Sequence, residues 1–247
     1  MLVLLPPSEG KSAPSRGRPV ELAELAFVAE LTEPRRKLLA ALAGLAELPV
    51  PRALAALGIS ESQAGEVAVD AALAGAPAAP AGELYTGVLY DHLELPALPA
   101  AARRRVLIAS ALWGVVRPAD RIPYYRLAAK AKLPGIGGLA AFWRPALAAA
   151  LPDEPGELIV DMRSGAYAAA WKPRRATLLG VRAFSERGGV RKPISHMAKA
   201  VRGDVARALL TAQQAPADPE GAAAIAEAAG FAVELGESTL DVIVAGG

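Results

Sequence analysis

Residues 105–143 read RVLIASALWGVVRPADRIPYYRLAAKAKLPGIGGLAAFW, and the folding of this stretch decides the rest. Its β-branched opening, Val106 to Ile108, predicts a buried strand. A turn punctuated by Gly114, Pro118 and Pro123 follows. The pattern then predicts a short basic helix, Tyr125 to Lys132, with Leu133-Pro134-Gly135-Ile136-Gly137-Gly138 opening a second one. Leu-Pro-Gly-Ile-Gly with alanine at 141 is the spelling of a helix-hairpin-helix turn, so that element is expected at about residues 121–150. Glycines let a backbone turn tightly and approach a ligand with no Cβ in the way. The amides of a helix start point outward and suit a phosphate oxygen. Lys130 and Lys132 before the turn and Arg144 after it add positive charge. The same residues also suit a plain helix–helix connection that only admits close packing.

Outward from this stretch, 247 residues allow one large domain or two small ones. Alanine supplies much of the apolar fraction, so alanine-rich helices carry little functional information. No apolar run reaches membrane-spanning length, and Met1 to Pro7 is too short for a secretory segment, which predicts a cytoplasmic protein that touches no membrane. That first run reads instead as a buried strand. Zero cysteines exclude disulfides and thiol chemistry, and two histidines argue against a His-rich metal site. Neither a metal nor a cofactor is expected. The net charge is +2, but it is unevenly placed. From Arg103 to Arg207 there are 20 Lys/Arg against 7 Asp/Glu, while the flanks hold 7 against 18. Either a cationic cleft on an acidic scaffold or a solvated basic face produces this asymmetry.

Taken in order, Pro6 to Ser12 is a loop at a strand end. Gly10-Lys11-Ser12 has the spelling of a P-loop's end, but proline stands at position 6 where the upstream glycine belongs, which excludes that motif. Lys11 stays as a cation at the mouth of an expected central strand, or as a plain surface lysine. Residues 21–75 are expected to be helical and structural, with Leu38, Leu39, Leu42 and Leu45 packing inward. Glu83 to Gly87 reads as a short strand whose Tyr85 and Thr86 present hydroxyls. Ser110 ends the central strand, and Arg126 follows two tyrosines as a forked donor beside stacking surfaces. Glu157 to Asp161 is another strand, with Asp161 at its carboxyl end and Ser164 as N-cap of a helix, Gly165 to Trp171. Lys172 follows. Ala176 to Phe184 and Val190 to Ile194 are strands joined by a Gly188-Gly189 turn, and His196 to Leu210 is a helix with Lys199 and Arg202 on one face. A helix from Pro219 to Ala229 and two strands, Phe231 to Leu235 and Leu240 to Val244, close the chain. The expected fold is therefore α/β, one mixed-sheet domain over residues 1–247 with surrounding helices and the helix-hairpin-helix-like element.

Several words of this sequence occur together in a specific order. They are Leu2-Val3-Leu4-Leu5-Pro6-Pro7 with Lys11, Tyr85-Thr86-Gly87, Ser110 to Gly114 leading into Arg117-Pro118, and Tyr125-Arg126-Leu127. Phe142-Trp143, Asp161 to Tyr167, Lys172-Pro173 and Ala198 to Gly203 complete the set. In this the chain resembles the YaaA peroxide-stress family over nearly its whole length. The resemblance implies a compact α/β fold, a positively charged cleft, a helix-hairpin-helix element, duplex-DNA binding, and protection during hydrogen peroxide stress through limiting free iron and DNA damage. Two departures stand out. The Pro6 to Lys11 loop is longer than the family's Ser-Pro-Ala-Lys form, and Asp161-Met162-Arg163-Ser164 replaces an Asn-Leu-Ala-Ser type, so Arg163 is expected to alter what the cleft prefers.

Two functional classes follow. In the first, the chain binds duplex or distorted DNA without sequence preference: Gly135, Ile136, Gly137 and Gly138 amides hold a phosphate, flanked by Lys130, Lys132 and Arg144. Arg126, Lys172, Lys199 and Arg202 line the cleft. In the second it is an enzyme on a small phosphorylated or nucleotide-like substrate, with Lys11, Tyr85, Ser110 and Asp161 converging at strand ends, Lys11 or Lys172 as electrophile or nucleophile and Asp161 as base. Direct iron sequestration fits less well, because no carboxylate cluster has a ligand spacing.

Overall fold

A computed structural model describes residues 1–188, 190–194 and 197–245 of the chain. The first apolar run becomes the middle of an eight-stranded sheet. Its strands are β1 (Leu2–Leu5), β2 (Val106–Ser110), β3 (Gly114–Val116), β4 (Leu158–Asp161), β5 (Thr177–Arg187), β6 (Val190–Pro193), β7 (Ala232–Leu235) and β8 (Thr239–Ala245). The order is β7-β8-β5-β4-β1-β2-β3, with β6 against β5. The inner strands are parallel, in registers such as Val3 opposite Val106 and Val160, and Leu158 opposite Thr177. β3, β6 and β7 pair antiparallel at the margins, so the sheet is mixed as expected.

All residues of β1, β2 and β4 are buried, with no in–out alternation. Side chains on both faces must therefore be covered by other elements. Covering comes from α1 (Val28–Gly44), which packs against α3 (Leu139–Ala150), and from α2 (Val88–Leu93), which packs against α4 (Met197–Thr211) on β5. α5 (Pro219–Ala228) lies beside β7 and α4. One hydrophobic core joins all of this, from Leu2 to Val242.

Two glycines are demanded by close approach. Gly114 has φ +72°, and a Cβ there would stand 2.8 Å from the Trp143 ring, so the β2–β3 turn seats α3 only without a side chain. A Cβ on Gly203 would meet the Leu89 carbonyl at 2.5 Å, which sets how tightly α4 crosses α2. Arg35 is a different device. It shares the inward stripe of α1 with Leu31, Leu38 and Leu42, fully buried. Its guanidinium donates to the carbonyls of Trp113 (3.1 Å), Val115 (2.9 Å) and Ala26 (2.9 Å), tying α1 to β3. Burial pulls its pKa down to about 10.

Two local expectations are corrected. Residues 124–131 form no helix: Pro123 ends a short strand (Arg121–Pro123), and Tyr125 and Leu127 are buried between more exposed neighbours, a period-two pattern that belongs to extended chain. The helix-hairpin-helix is thus a β-hairpin, Lys132–Leu133 on Gly137–Gly138, followed by the single helix α3. Glu83 to Gly87 is not a strand either; Ala81–Leu84 is one helical turn, and only Tyr85 bridges to Lys11. The Gly188-Gly189 turn and the helix start at His196 fall partly on residues 189, 195 and 196, which lie outside those described. Among the described residues no helix is long and apolar enough to cross a membrane.

What matters for function is the parallel centre. β1 sends the chain toward β2 on one side, and β4 sends it toward β5 on the other. Where neighbouring strands diverge in this way, a crevice opens at their carboxyl ends, and ligands of open α/β sheets settle there.

Candidate functional site

At the carboxyl end of β2, Ser110 begins a chain of buried hydroxyls. Its Oγ accepts from the Trp113 N–H at 3.0 Å and lies 2.7 Å from the Tyr125 hydroxyl, which lies 2.8 Å from that of Tyr85. Tyr90 stacks on Tyr85 at 5.6 Å and donates to the Pro6 carbonyl at 2.7 Å. Burial pushes all three phenols up, so they stay protonated and act as neutral donors.

Lys11 faces this chain. The Ser8–Ser12 loop is laced to the turn after Ala81–Leu84 by Ser12 N–H to the Leu84 carbonyl (2.8 Å) and Thr86 N–H to the Gly10 carbonyl (3.1 Å). The lacing sets Lys11 Nζ 4.4 Å from the centroid of Tyr125 and 5.8 Å from that of Tyr85. Desolvation, helped by the Arg126 charge, pulls Lys11 down to about 8. Three carboxylates oppose that shift: Asp70, Glu9 and Glu66.

Asp70 and Glu66 are the residues that sequence reasoning missed. They lie four apart on the helix Gly65–Ala71, hence on one face. Asp70 is 1 % exposed; its Oδ1 accepts from the Arg126 N–H at 2.8 Å, while Oδ2 is buried with no partner. Desolvation pushes Asp70 up to about 7. Glu66 accepts from the Tyr124 hydroxyl at 3.0 Å and also keeps one buried oxygen unpartnered. Orphaned buried acceptors are rare in folded chains. Above them Arg126 reaches Glu9 at 3.6 Å, and the Glu9 carboxylate is exposed.

The β4 end is built differently. Arg163 grips Asp161 with two parallel bonds, Nε–Oδ1 2.8 Å and Nη2–Oδ2 2.9 Å, and its own N–H adds a third at 2.9 Å. It donates further to the Trp171 carbonyl at 2.9 Å. Asp161 is therefore a fixed counter-charge rather than an available base, and Arg163 faces its partner rather than a ligand. Ser164 makes no side-chain cap bond, and its helix is only Gly165–Ala168. Between this end and α3 lies a narrow, mostly apolar pocket bounded by Leu139, Trp143, Leu147, Ser110, Arg163 and Tyr167. Ser110 thus joins the pocket to the hydroxyl chain. Burial pushes Tyr167 up to about 12.

The remaining candidate cations lie on several elements. Arg144 reaches the Ala169 carbonyl at 3.3 Å, beside the helix Gly165–Ala168, and Lys172 follows Trp171 on the same segment. Arg202 donates to the Val181 carbonyl at 3.0 Å and feels the Asp161 charge, with Lys199 one turn earlier on α4. Lys130 and Lys132 sit farther out, where the hairpin packs on the helix Val50–Leu57. Gly135, Gly137 and Gly138 are exposed, and Gly135 and Gly137 have positive φ. Lys130, Lys132, Arg144, Lys172 and Lys199 have no acidic partner within 4.0 Å among the described residues, whereas Arg18, Arg182 and Arg191 are all ion-paired. No group of three or more His, Asp or Glu among the described residues is placed to share a metal ion.

A family model described as peroxide stress protein YaaA matches residues 1–235. The UPF0246 protein SCO2297 of Streptomyces coelicolor is 47 % identical over 227 residues, covering 89 % of this chain and 86 % of that protein. The UPF0246 protein CE1889 of Corynebacterium efficiens is 41 % identical over 252 residues, covering 99 % and 100 % respectively. An uncharacterized protein of Campylobacter jejuni, Cj0984, is 35 % identical over 133 residues, about half of each chain.

Proposed function

Because the chain belongs to the peroxide stress protein YaaA family, we propose that it serves the peroxide stress response by binding duplex or distorted DNA at the carboxyl end of its sheet. One observation supports the reading: five cations of the basic middle of the chain, Lys130, Lys132, Arg144, Lys172 and Lys199, are exposed and have no acid partner within 4.0 Å among the described residues. Unpaired lysines and arginines release counterions when they meet phosphates, and such contacts hold the backbone without reading bases. Arg126 follows two tyrosines, Tyr124 and Tyr125, and offers a forked donor to one phosphate. A gel shift with duplex, bubble and single-stranded DNA tests the reading. Wild type retains duplex or bubble, and Arg144→Glu with Lys172→Glu loses that retention. Equal retention by the variant would refute it.

A second reading has its own support. The buried Lys11–Tyr125–Ser110 group, with Asp70 shifted toward neutrality, has the composition of a reaction centre on a small phosphorylated or nucleotide-like substrate. A strand whose backbone meets Arg126 brings one sugar unit to this same group, so the two readings share a site.

A further inference from the structure

Lys11 is seated against the rings of two tyrosines whose hydroxyls are buried. It has aromatic rings under it, Arg126 beside it and two half-partnered carboxylates opposite. We propose that Lys11 is a nucleophile that forms a Schiff base with the aldehyde of a phosphorylated sugar, presented free or as an abasic site in DNA. The proposal rests on the reading of this crevice as a phosphate-binding site.

The geometry supplies each part. An amine that attacks a carbonyl must be unprotonated, and lysines reach that state when desolvated or set beside another cation. Both conditions hold here, since burial and Arg126 are the two effects that lower Lys11. The phosphate is held by Arg126, whose present neighbour Glu9 is an exposed carboxylate that an incoming dianion displaces. Asp70 is the proton carrier: its Oδ2 has no partner, and it feels the Lys11 charge.

In the first step the Nζ lone pair forms the C–N bond, and the carbonyl π pair moves to oxygen, which takes a proton from Asp70. The ammonium nitrogen then returns a proton to the Asp70 carboxylate, leaving a neutral carbinolamine. Asp70 protonates the hydroxyl, water departs with the C–O pair, and the nitrogen lone pair closes the iminium. The sum is amine plus aldehyde plus one proton giving iminium plus water, with no oxidant or reductant. Tyr125 and Tyr85 stay protonated through this and line the site as neutral donors.

Sodium borohydride reduces such an iminium to a stable amine. The test incubates the full chain with 2-deoxyribose 5-phosphate, or with a duplex carrying one abasic site, adds borohydride and maps the adduct by peptide mass. The expected result is one adduct on Lys11, reduced at least tenfold in Lys11→Met. Asp70→Asn slows its formation and removes the limb of the pH–rate profile near pH 7. No adduct, or an adduct spread over Lys130, Lys132 and Lys172 and unaltered in Lys11→Met, overturns the proposal. The wild-type peptide map decides the matter even if a variant fails to fold. Retention of the duplex without borohydride is measured on the same samples. Retention with no Lys11 adduct sinks the Schiff base alone, while an adduct from the free sugar phosphate without retention sinks the DNA reading alone.

Discussion

Lys11 Nζ stands 4.4 Å from the centroid of the Tyr125 ring, and the hydroxyl of that same ring lies 2.7 Å from Ser110 at the end of β2. One tyrosine therefore links a loop cation after β1 to the tip of the neighbouring strand. The arrangement makes a lysine costly to keep charged, which leads to the first prediction.

Lys11 is lowered from 10.5 to about 8 in the folded chain, so between those values the unfolded chain binds more protons and stability rises with pH. Below pH 8 the burden is present in full, on the order of 3 kcal/mol. Lys11→Met is expected to be more stable than wild type at pH 7, with the gain shrinking as pH climbs from 8 toward 10.5. Urea unfolding at pH 7, 8.5 and 10 checks this; a variant less stable at pH 7 contradicts it.

Asp70 has the opposite sign. Its pKa is raised from 3.8 to about 7, so the unfolded chain binds fewer protons in that window and stability falls as pH rises through it. Asp70→Asn keeps an acceptor for the Arg126 N–H and should flatten the fall. Thermal unfolding from pH 4.5 to 7.5 reads the difference.

Arg35 donates to three carbonyls at once, those of Trp113, Val115 and Ala26. Arg35→Leu removes all three guanidinium hydrogen bonds at once, at a cost of about 3 kcal/mol. Arg35→Lys recovers only part, because an ammonium lacks the planar fork. Denaturant midpoints of the two variants should rank wild type, then Lys, then Leu.

Asp161 and Arg163 form a buried pair, so their roles separate in a double-mutant cycle. Asp161→Ala strands the guanidinium and should destabilise by about 3–5 kcal/mol. Asp161→Leu combined with Arg163→Met should cost clearly less than the single change. Equal costs would mean that the bidentate contact contributes nothing.

Much of the scaffold was legible in the sequence for one reason: the central strands are apolar on both faces, so Leu2–Leu5, Val106–Ser110 and Leu158–Asp161 stand out as unbroken runs. Lys11, Tyr85 and Ser110 were legible because each sits where a strand or turn ends, and the structure joins them through Tyr125. The pairing of Asp161 with Arg163 is not legible in the sequence, because two residues two apart at a strand end reveal nothing of a guanidinium folded back on the carboxylate. The helix expected over Tyr125 to Lys132 failed because Tyr125 and Leu127 already carry a strand-like alternation that the basic residues mask. Asp70 and Glu66 were illegible: two acids four apart on a helix ordinarily mark a solvated face, and only the tertiary fold turns that face toward Lys11.

The exposed turn offers a separate check on DNA contact. Gly135→Asp with Gly137→Asp adds two negative charges at the amides and strains two positive-φ positions that have open space around them. Duplex affinity should fall roughly tenfold or more, measured at a temperature where the variant is still folded. An unchanged affinity would take the turn out of the interface.

The most direct measurement is the salt dependence of binding to a fluorescently labelled duplex, followed by anisotropy. With about five phosphate contacts, log Kobs should fall with log salt at a slope of roughly −4 to −5, a loss of about 10²–10³-fold between 50 and 200 mM. A flat salt response, or no binding at the lowest salt, would contradict the claim that these exposed cations receive a phosphate backbone.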